Sequence, residues 1–195
     1  MSPTMRPLLF LLLPALLLQG CAAAIVTGAA TTAGVAHDRR TTGTVIDDQN
    51  VELLAAKAYF QDAELNDQAH LNVTSFNGVV LLTGEAPTAA LRARAEELVR
   101  PLPKVRRVVN EIAIASPSSL ATRGSDTLIT AKAKTALFSA DGLVGSDPLH
   151  IKLVTENGSL YLMGVVRRAE ANAAIESVRR VSGVQRVVNV FEYLD

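Results

Sequence analysis

From Asp47 onward, the apolar and polar positions of the chain run through one pattern twice. The first pass opens DDQNVELLAAKAYF (47–60) and the second SDTLITAKAKTALF (125–138), which aligns Asp48 with Asp126 and Phe60 with Phe138. HLNVTSFNGVVLLTG from His70 is answered by HIKLVTENGSLYLMG from His150, and VRRVVNEIAI from Val105 by VQRVVNVFEY from Val184. Each pass predicts the same elements. A helix comes first, with Asp48 or Asp126 placed to cap it, the carboxylate accepting from orphan N–H groups of the first turn. Two alternating segments follow, split by Asn77-Gly78 or Asn157-Gly158; Asn-Gly between such segments predicts a hairpin with a type I′ turn. After Gly84 and Gly164 the apolar spacing becomes helical, at Leu91, Ala95, Leu98 and Val99 and at Ala171, Ala174, Ile175 and Val178. Pro101 and Pro103 end the first of these helices, and Ser182-Gly183 ends the second. A final alternating strand completes the order α-β-β-α-β. That order predicts an α+β fold, with two helices on one face of a three-stranded mixed sheet. A repeat of this length is a domain, not a solenoid unit. The chain therefore reads as domains at 47–115 and 125–195 with a linker at 116–124.

The N-terminus follows a different rule. Arg6 precedes an apolar run from Leu8 to Leu18 that Pro14 interrupts. This is a basic segment followed by an apolar one of secretory length, short of the roughly 20 residues a membrane span takes. It ends Leu18-Gln19-Gly20-Cys21, which resembles the lipobox of bacterial lipoproteins. The resemblance implies cleavage after residue 20, lipidation (palmitate among the acyl chains) at Cys21, and, with Ala22 next, sorting to the outer membrane on its periplasmic side. Residues 21–46 are rich in Ala, Thr and Gly and carry neither period, so they read as a lipidated flexible tether in which Arg39 and Arg40 serve solubility.

Composition narrows the function. The 195 residues hold 19 Lys+Arg and 19 Asp+Glu, a balance that argues against a basic nucleic-acid surface. Aromatics are 4% and Trp is absent, which disfavours stacking platforms. The single Cys is taken by the anchor, so neither a disulfide framework nor a Cys-based metal cluster is expected. His37 lies in the tether, and His70 and His150 stand at equivalent strand starts, where duplication explains both as edge residues. An inter-domain metal site using them would lack neighbouring ligands in the sequence. Gly78, Gly84 and Gly164 form no phosphate loop. The expectation is a protein that is not an enzyme, with no cofactor and no metal.

The two passes differ most in their first helices. In the second, Ile129, Ala133, Ala136 and Leu137 share the core face, while Leu128, Lys132, Lys134, Thr135 and Phe138 lie off it. Exposed Leu and Phe beside Lys suit a membrane interface with anionic headgroups. In the first pass, Asn50, Leu54 and Ala56 replace Leu128, Lys132 and Lys134. That helix is apolar on several sides and reads as one to be covered, by the other domain. Arg167-Arg168 and Arg179-Arg180 read as a solvated face.

Asp126 at the helix, Asn157-Gly158, Gly164, Gly183-Val184 and Val188-Asn189 together resemble the BON domain, and the same cues recur in the first pass, with Pro103-Lys104-Val105 in place of Gly-Val. The resemblance covers about three quarters of the chain. In two-domain BON lipoproteins the second domain binds anionic phospholipid through its first helix and the loop after it. The resemblance carries that role onto Leu128, Lys132, Lys134 and Phe138, with Gly142, Leu143 and Val144 as loop contacts. It also implies a place in envelope integrity and at division sites. Two functions stay open: an anionic-phospholipid binder, and a protein-interaction adapter for an envelope or cell-wall machine using the same apolar helix.

Overall fold

The computed structural model describes residues 38–140, 143 and 150–195. The elements of the first domain are α1 (Thr42–Gln61), α2 (Ala63–Gln68), β1 (His70–Phe76), β2 (Val79–Ala86), α3 (Ala89–Val99), β3 (Arg107–Asn110) and β4 (Ala113–Ile114). Those of the second are α4 (Leu120–Phe138), β5 (Ile151–Glu156), β6 (Ser159–Val166), α5 (Arg168–Val178), β7 (Arg186–Asn189) and β8 (Glu192–Tyr193). The α+β class, the duplication and the mixed sheets are as expected: β1 pairs antiparallel with β2, β3 pairs parallel with it, and β5, β6 and β7 repeat the arrangement. The last strand of each domain is broken in two. Asn110 Oδ1 accepts from the Ile112 N–H at 3.2 Å and Asn189 Oδ1 from the Phe191 N–H at 2.9 Å, a local bond that competes with the ladder and lets Ile112 and Phe191 drop into the cores.

The predicted caps are corrected. Thr41 and Ser119 cap α1 and α4, their hydroxyls accepting from Thr44 and Thr122 N–H. Asp48 and Asp126 lie two turns further on, buried, in the stripes Asp48/Val51/Ala55/Tyr59 and Asp126/Ile129/Ala133/Leu137. Each reaches the hairpin instead. Asp48 accepts from Asn77 N–H (2.7 Å), Gly78 N–H (2.8 Å) and Ser75 Oγ (2.6 Å). Asp126 accepts from Asn157 N–H and Gly158 N–H, both at 2.9 Å. Asn77, Gly78, Asn157 and Gly158 all have positive φ, as a type I′ turn requires, so the turn's two N–H groups converge on one carboxylate. Gly84 is required at its place, since a Cβ there would sit 2.0 Å from the His70 carbonyl oxygen.

α1 begins at Thr42 and α4 at Leu120, ahead of the domain starts expected at 47 and 125, and the expected signal segment and the tether up to residue 37 lie outside the described residues. Arg39 and Arg40 are not solubility residues. Arg39 donates twice to Glu170 at 2.7 Å and once to the Val165 carbonyl at 2.9 Å, and its bonds to Glu170 hold its pKa above the ordinary value. Arg40 bonds Asp38 and Asp48 and lies 3.7 Å over the Phe76 ring. A residue from before the first domain is thereby latched to the second.

Helices cover one face of each sheet. The opposite faces meet. Val79 and Leu81 of β2 and Phe76 of β1 form one buried cluster with Tyr161 and Met163 of β6 and Val190, while the alternate residues Val80, Leu82 and Ala86, or Leu160, Leu162 and Val166, enter each domain's own core. Both central strands are therefore buried on two sides. The pairs Arg106–Glu192, Arg186–Glu111 (3.0 Å) and Lys152–Glu52 (3.0 Å) rim the junction. The expectation that the second domain covers α1 is thus corrected: Leu53 is 69% and Phe60 76% exposed. Apolar sheet faces are wider and flatter than a helix stripe and exclude more water when they pair.

Candidate functional site: the outer face of the second domain's first helix

The buried stripe of α4 fixes where its remaining side chains go. Successive residues turn by about 100°, so Phe138 and Leu128 fall opposite the stripe, with Lys134 on one flank and Lys132 on the other. The structure bears out this placement. Leu128 is 63% and Phe138 62% exposed, and both lysines are exposed. Neither lysine has an acidic partner within 4.0 Å among the described residues. Leu128 does not pack on the first domain, and Phe138 does not close the core. With a rise of 1.5 Å per residue, the two apolar side chains stand about 15 Å apart along the axis.

At the C-terminal end of α4 lies a cleft of about 400 Å³, lined by Lys134, Leu137, Phe138, Ile151, Lys152 and Leu153, with Arg40 and Phe76 from the first domain's side. Its floor is apolar and its edge cationic. Arg40 is held by Asp38 and Asp48, and Lys152 by Glu52, which leaves Lys134 as the cation there without an acidic partner among the described residues.

The expected loop contacts fare differently. Gly142 and Val144 lie outside the described residues, as does Cys21. Leu143 is 3% exposed and packs with Ala133, Leu137 and Ile151 in the second core, so it does not present a surface to lipid. His150, read as an edge residue, is buried at 2% exposure. Arg179 and Arg180 pair with Glu176, as a solvated face would, and Arg168 lies 4.6 Å from the Tyr193 ring centre.

Sequence reasoning missed the polar junction between the sheets. Asn72 donates to Glu156 at 2.8 Å, Asn77 to Glu192 at 2.9 Å, and Asn157 to Glu85. A signal for this face was present: VVLL in β2 and LYLM in β6 are unbroken apolar runs, which mark strands buried on both sides.

Comparison with known proteins agrees with this architecture. The BON domain family matches residues 47–116 and 125–195. The outer membrane lipoprotein DolP of Haemophilus influenzae is 37% identical over 195 residues, covering 100% of this chain and 99% of the relative. A 21 kDa hemolysin of Actinobacillus pleuropneumoniae is 34% identical over 157 residues, 80% of this chain and 79% of the relative. Among solved structures, the C-terminal domain of CdsD, a structural protein of the type III secretion system of Chlamydia trachomatis, aligns with a TM-score of 0.28 at 16% identity, over 76% of this chain and 67% of that one; a likeness that faint says nothing about function. With two family matches that together span most of its length, and a DolP relative aligned over its full length, the chain belongs to the BON-domain family, as a two-domain lipoprotein of the DolP type.

Proposed function

We propose that this protein is an outer-membrane lipoprotein, held on the periplasmic side through acylated Cys21, that binds anionic phospholipid with the outer face of α4 and supports envelope integrity, without enzymatic activity. The observation that carries this is the arrangement of α4: Leu128 and Phe138 exposed opposite the buried stripe, with Lys132 and Lys134 flanking them. Burying Leu128 in the acyl boundary contributes about 1.5–3 kcal/mol, and each Lys near an anionic surface about 1 kcal/mol. The cation-edged apolar cleft beside Phe138 extends the same surface. The acyl anchor at Cys21 is the membrane attachment in this proposal, and among the described residues no helix is long and apolar enough to cross a membrane. Mass spectrometry of the mature protein then finds an acylated N-terminal Cys21 and no residues 1–20; an unmodified Cys21 rejects the anchor. Enrichment at division sites belongs to the same proposal and is read by imaging a fluorescent fusion.

A second function, docking of an envelope protein partner, is favoured by α1, where Ile46, Leu53 and Phe60 are exposed. One experiment separates the two. The soluble chain of residues 38–195 is mixed with protein-free vesicles with and without anionic lipid, for the unsubstituted protein and for Leu128→Glu, and melting temperature is recorded on the same samples. Binding that needs anionic lipid and is lost in Leu128→Glu at unchanged melting temperature supports the lipid function. No binding to any vesicle rejects it in favour of the adapter.

A further inference from the structure

At one end of the inter-domain junction three ligand-bearing side chains from three strands converge. His70 opens β1 and stands directly across from Glu85 on β2. Glu156 ends β5 of the second domain. One ring nitrogen of His70 and one carboxylate oxygen of each glutamate lie within 4.8 Å of one another. Glu85 is 1% and Glu156 7% exposed. Among the described residues neither has a Lys, Arg or His within 4.0 Å to balance its charge. Two facing carboxylates from different domains, buried without a cation, repel each other strongly.

The surroundings hold these groups like ligands. Glu156 accepts from Asn72 Nδ2 (2.8 Å) and Thr83 Oγ1 (3.3 Å), and Glu85 from Ser118 N–H (3.0 Å) and the Asn157 amide. Such outer partners fix a ligating carboxylate's orientation. Asn72 Nδ2 also lies 3.4 Å from His70 Nε2. A cleft of about 280 Å³ opens beside the cluster, with His70, Asn72, Thr130 and Glu156 in its wall, wide enough for an ion to enter with water. Arg123 and Asp126 also line it. Arg123 is turned to Ser118 and Asp126 to the hairpin turn.

We propose that His70, Glu85 and Glu156 form a divalent metal site that ties the two domains together. One imidazole and two carboxylates, with water completing the shell, match Zn²⁺ chemistry; hard cations such as Mg²⁺ prefer all-oxygen shells. Ligand bonds of about 2.0–2.2 Å put tetrahedral ligand atoms about 3.3–3.6 Å apart, so small side-chain rotations close the site. The ion replaces carboxylate repulsion with attraction across the junction.

The test uses the full chain, lipid anchor included, in detergent after chelator treatment, with His37→Asn in every sample to remove the one imidazole outside the described residues. Zn²⁺ is titrated against a chromophoric chelator, and melting temperature is followed with and without Zn²⁺. One equivalent binds, the melting temperature rises, and both effects weaken at least tenfold or vanish in Glu156→Gln and in Glu85→Gln. His70→Gln, at a partly exposed position, removes the imidazole if a glutamate variant fails to fold. Absence of a stoichiometric Zn²⁺ site overturns the proposal, as does binding that survives these substitutions. A Glu156→Gln protein that melts higher than a parent binding no Zn²⁺ also overturns it.

Discussion

The first helices of the two domains descend from one pattern and do the same internal work, yet show different faces to solvent. Both bury an Asp, an aliphatic residue, an Ala and a large residue at identical spacing. Both aim that Asp at an Asn-Gly turn. Outward, α4 shows Leu128 and Phe138 flanked by Lys132 and Lys134, with Leu120 exposed in its first turn, whereas α1 shows Ile46, Leu53, Leu54 and Phe60 with Lys57 as the exposed lysine among them. Inward constraint is set by the sheet each helix must cover and is the same for both copies. Outward constraint comes from whatever each helix meets, so divergence there reports function. The Asp positions differ as well: Asp48 also receives Arg40 and Ser75 Oγ, which Asp126 does not.

The largest effect follows from that last difference. Asp48→Ala strands two turn N–H groups and the Ser75 hydroxyl and leaves Arg40 with Asp38 alone, and is expected to cost about 3–5 kcal/mol, against about 2–3 kcal/mol for Asp126→Ala, which strands two N–H groups. Urea unfolding of residues 38–195 measures both; equal costs would mean that the bonds from Arg40 and Ser75 to Asp48 add nothing. Next, Leu128→Glu should weaken binding to anionic vesicles by at least the 1.5–3 kcal/mol of the lost Leu burial, roughly tenfold to a hundredfold, while stability stays within about 0.5 kcal/mol. Leu53→Glu on α1 is the matched substitution and should leave vesicle binding unchanged. Equal losses would erase the functional distinction between the helices, and a sharp fall in melting temperature for Leu128→Glu would place that residue in a packed contact. The isolated halves are poorer probes, because cutting them apart exposes Phe76, Leu81, Tyr161 and Met163.

Smaller still, Lys132→Glu and Lys134→Glu should each weaken vesicle binding by at least the lost Lys contribution of about 1 kcal/mol. These effects should fade as salt rises, since screening acts within about 10 Å at 0.1 M. A salt-independent loss would assign the lysines to packing. Arg39→Ala should cost about 1 kcal/mol or less, because its ion pair with Glu170 is partly exposed; calorimetry on residues 38–195 checks it, and a larger cost would make the latch a main support of the domain pair.

Much of this protein was legible one segment at a time. The duplication, the element order, the two Asn-Gly turns and the outward placement of Leu128, Lys132, Lys134 and Phe138 all rest on local periodicity or on the backbone needs of two residues, which a sequence carries directly. Three features were not legible, for one reason: each joins residues far apart in the chain. A buried Asp in α1 resembles a helix cap until the hairpin of Asn77 and Gly78 is folded beneath it. Arg39 resembles a tether residue until Glu170, 131 positions away, arrives beside it. Alternation showed which face of each sheet its helices cover, and the VVLL and LYLM runs hinted at burial on the other side, but only the docked sheets decided that the cover was the second domain. The same docking brought His70 and Glu85 to Glu156, a grouping of titratable side chains that no spacing in the sequence announces, because long-range register and not local pattern sets which strand ends meet.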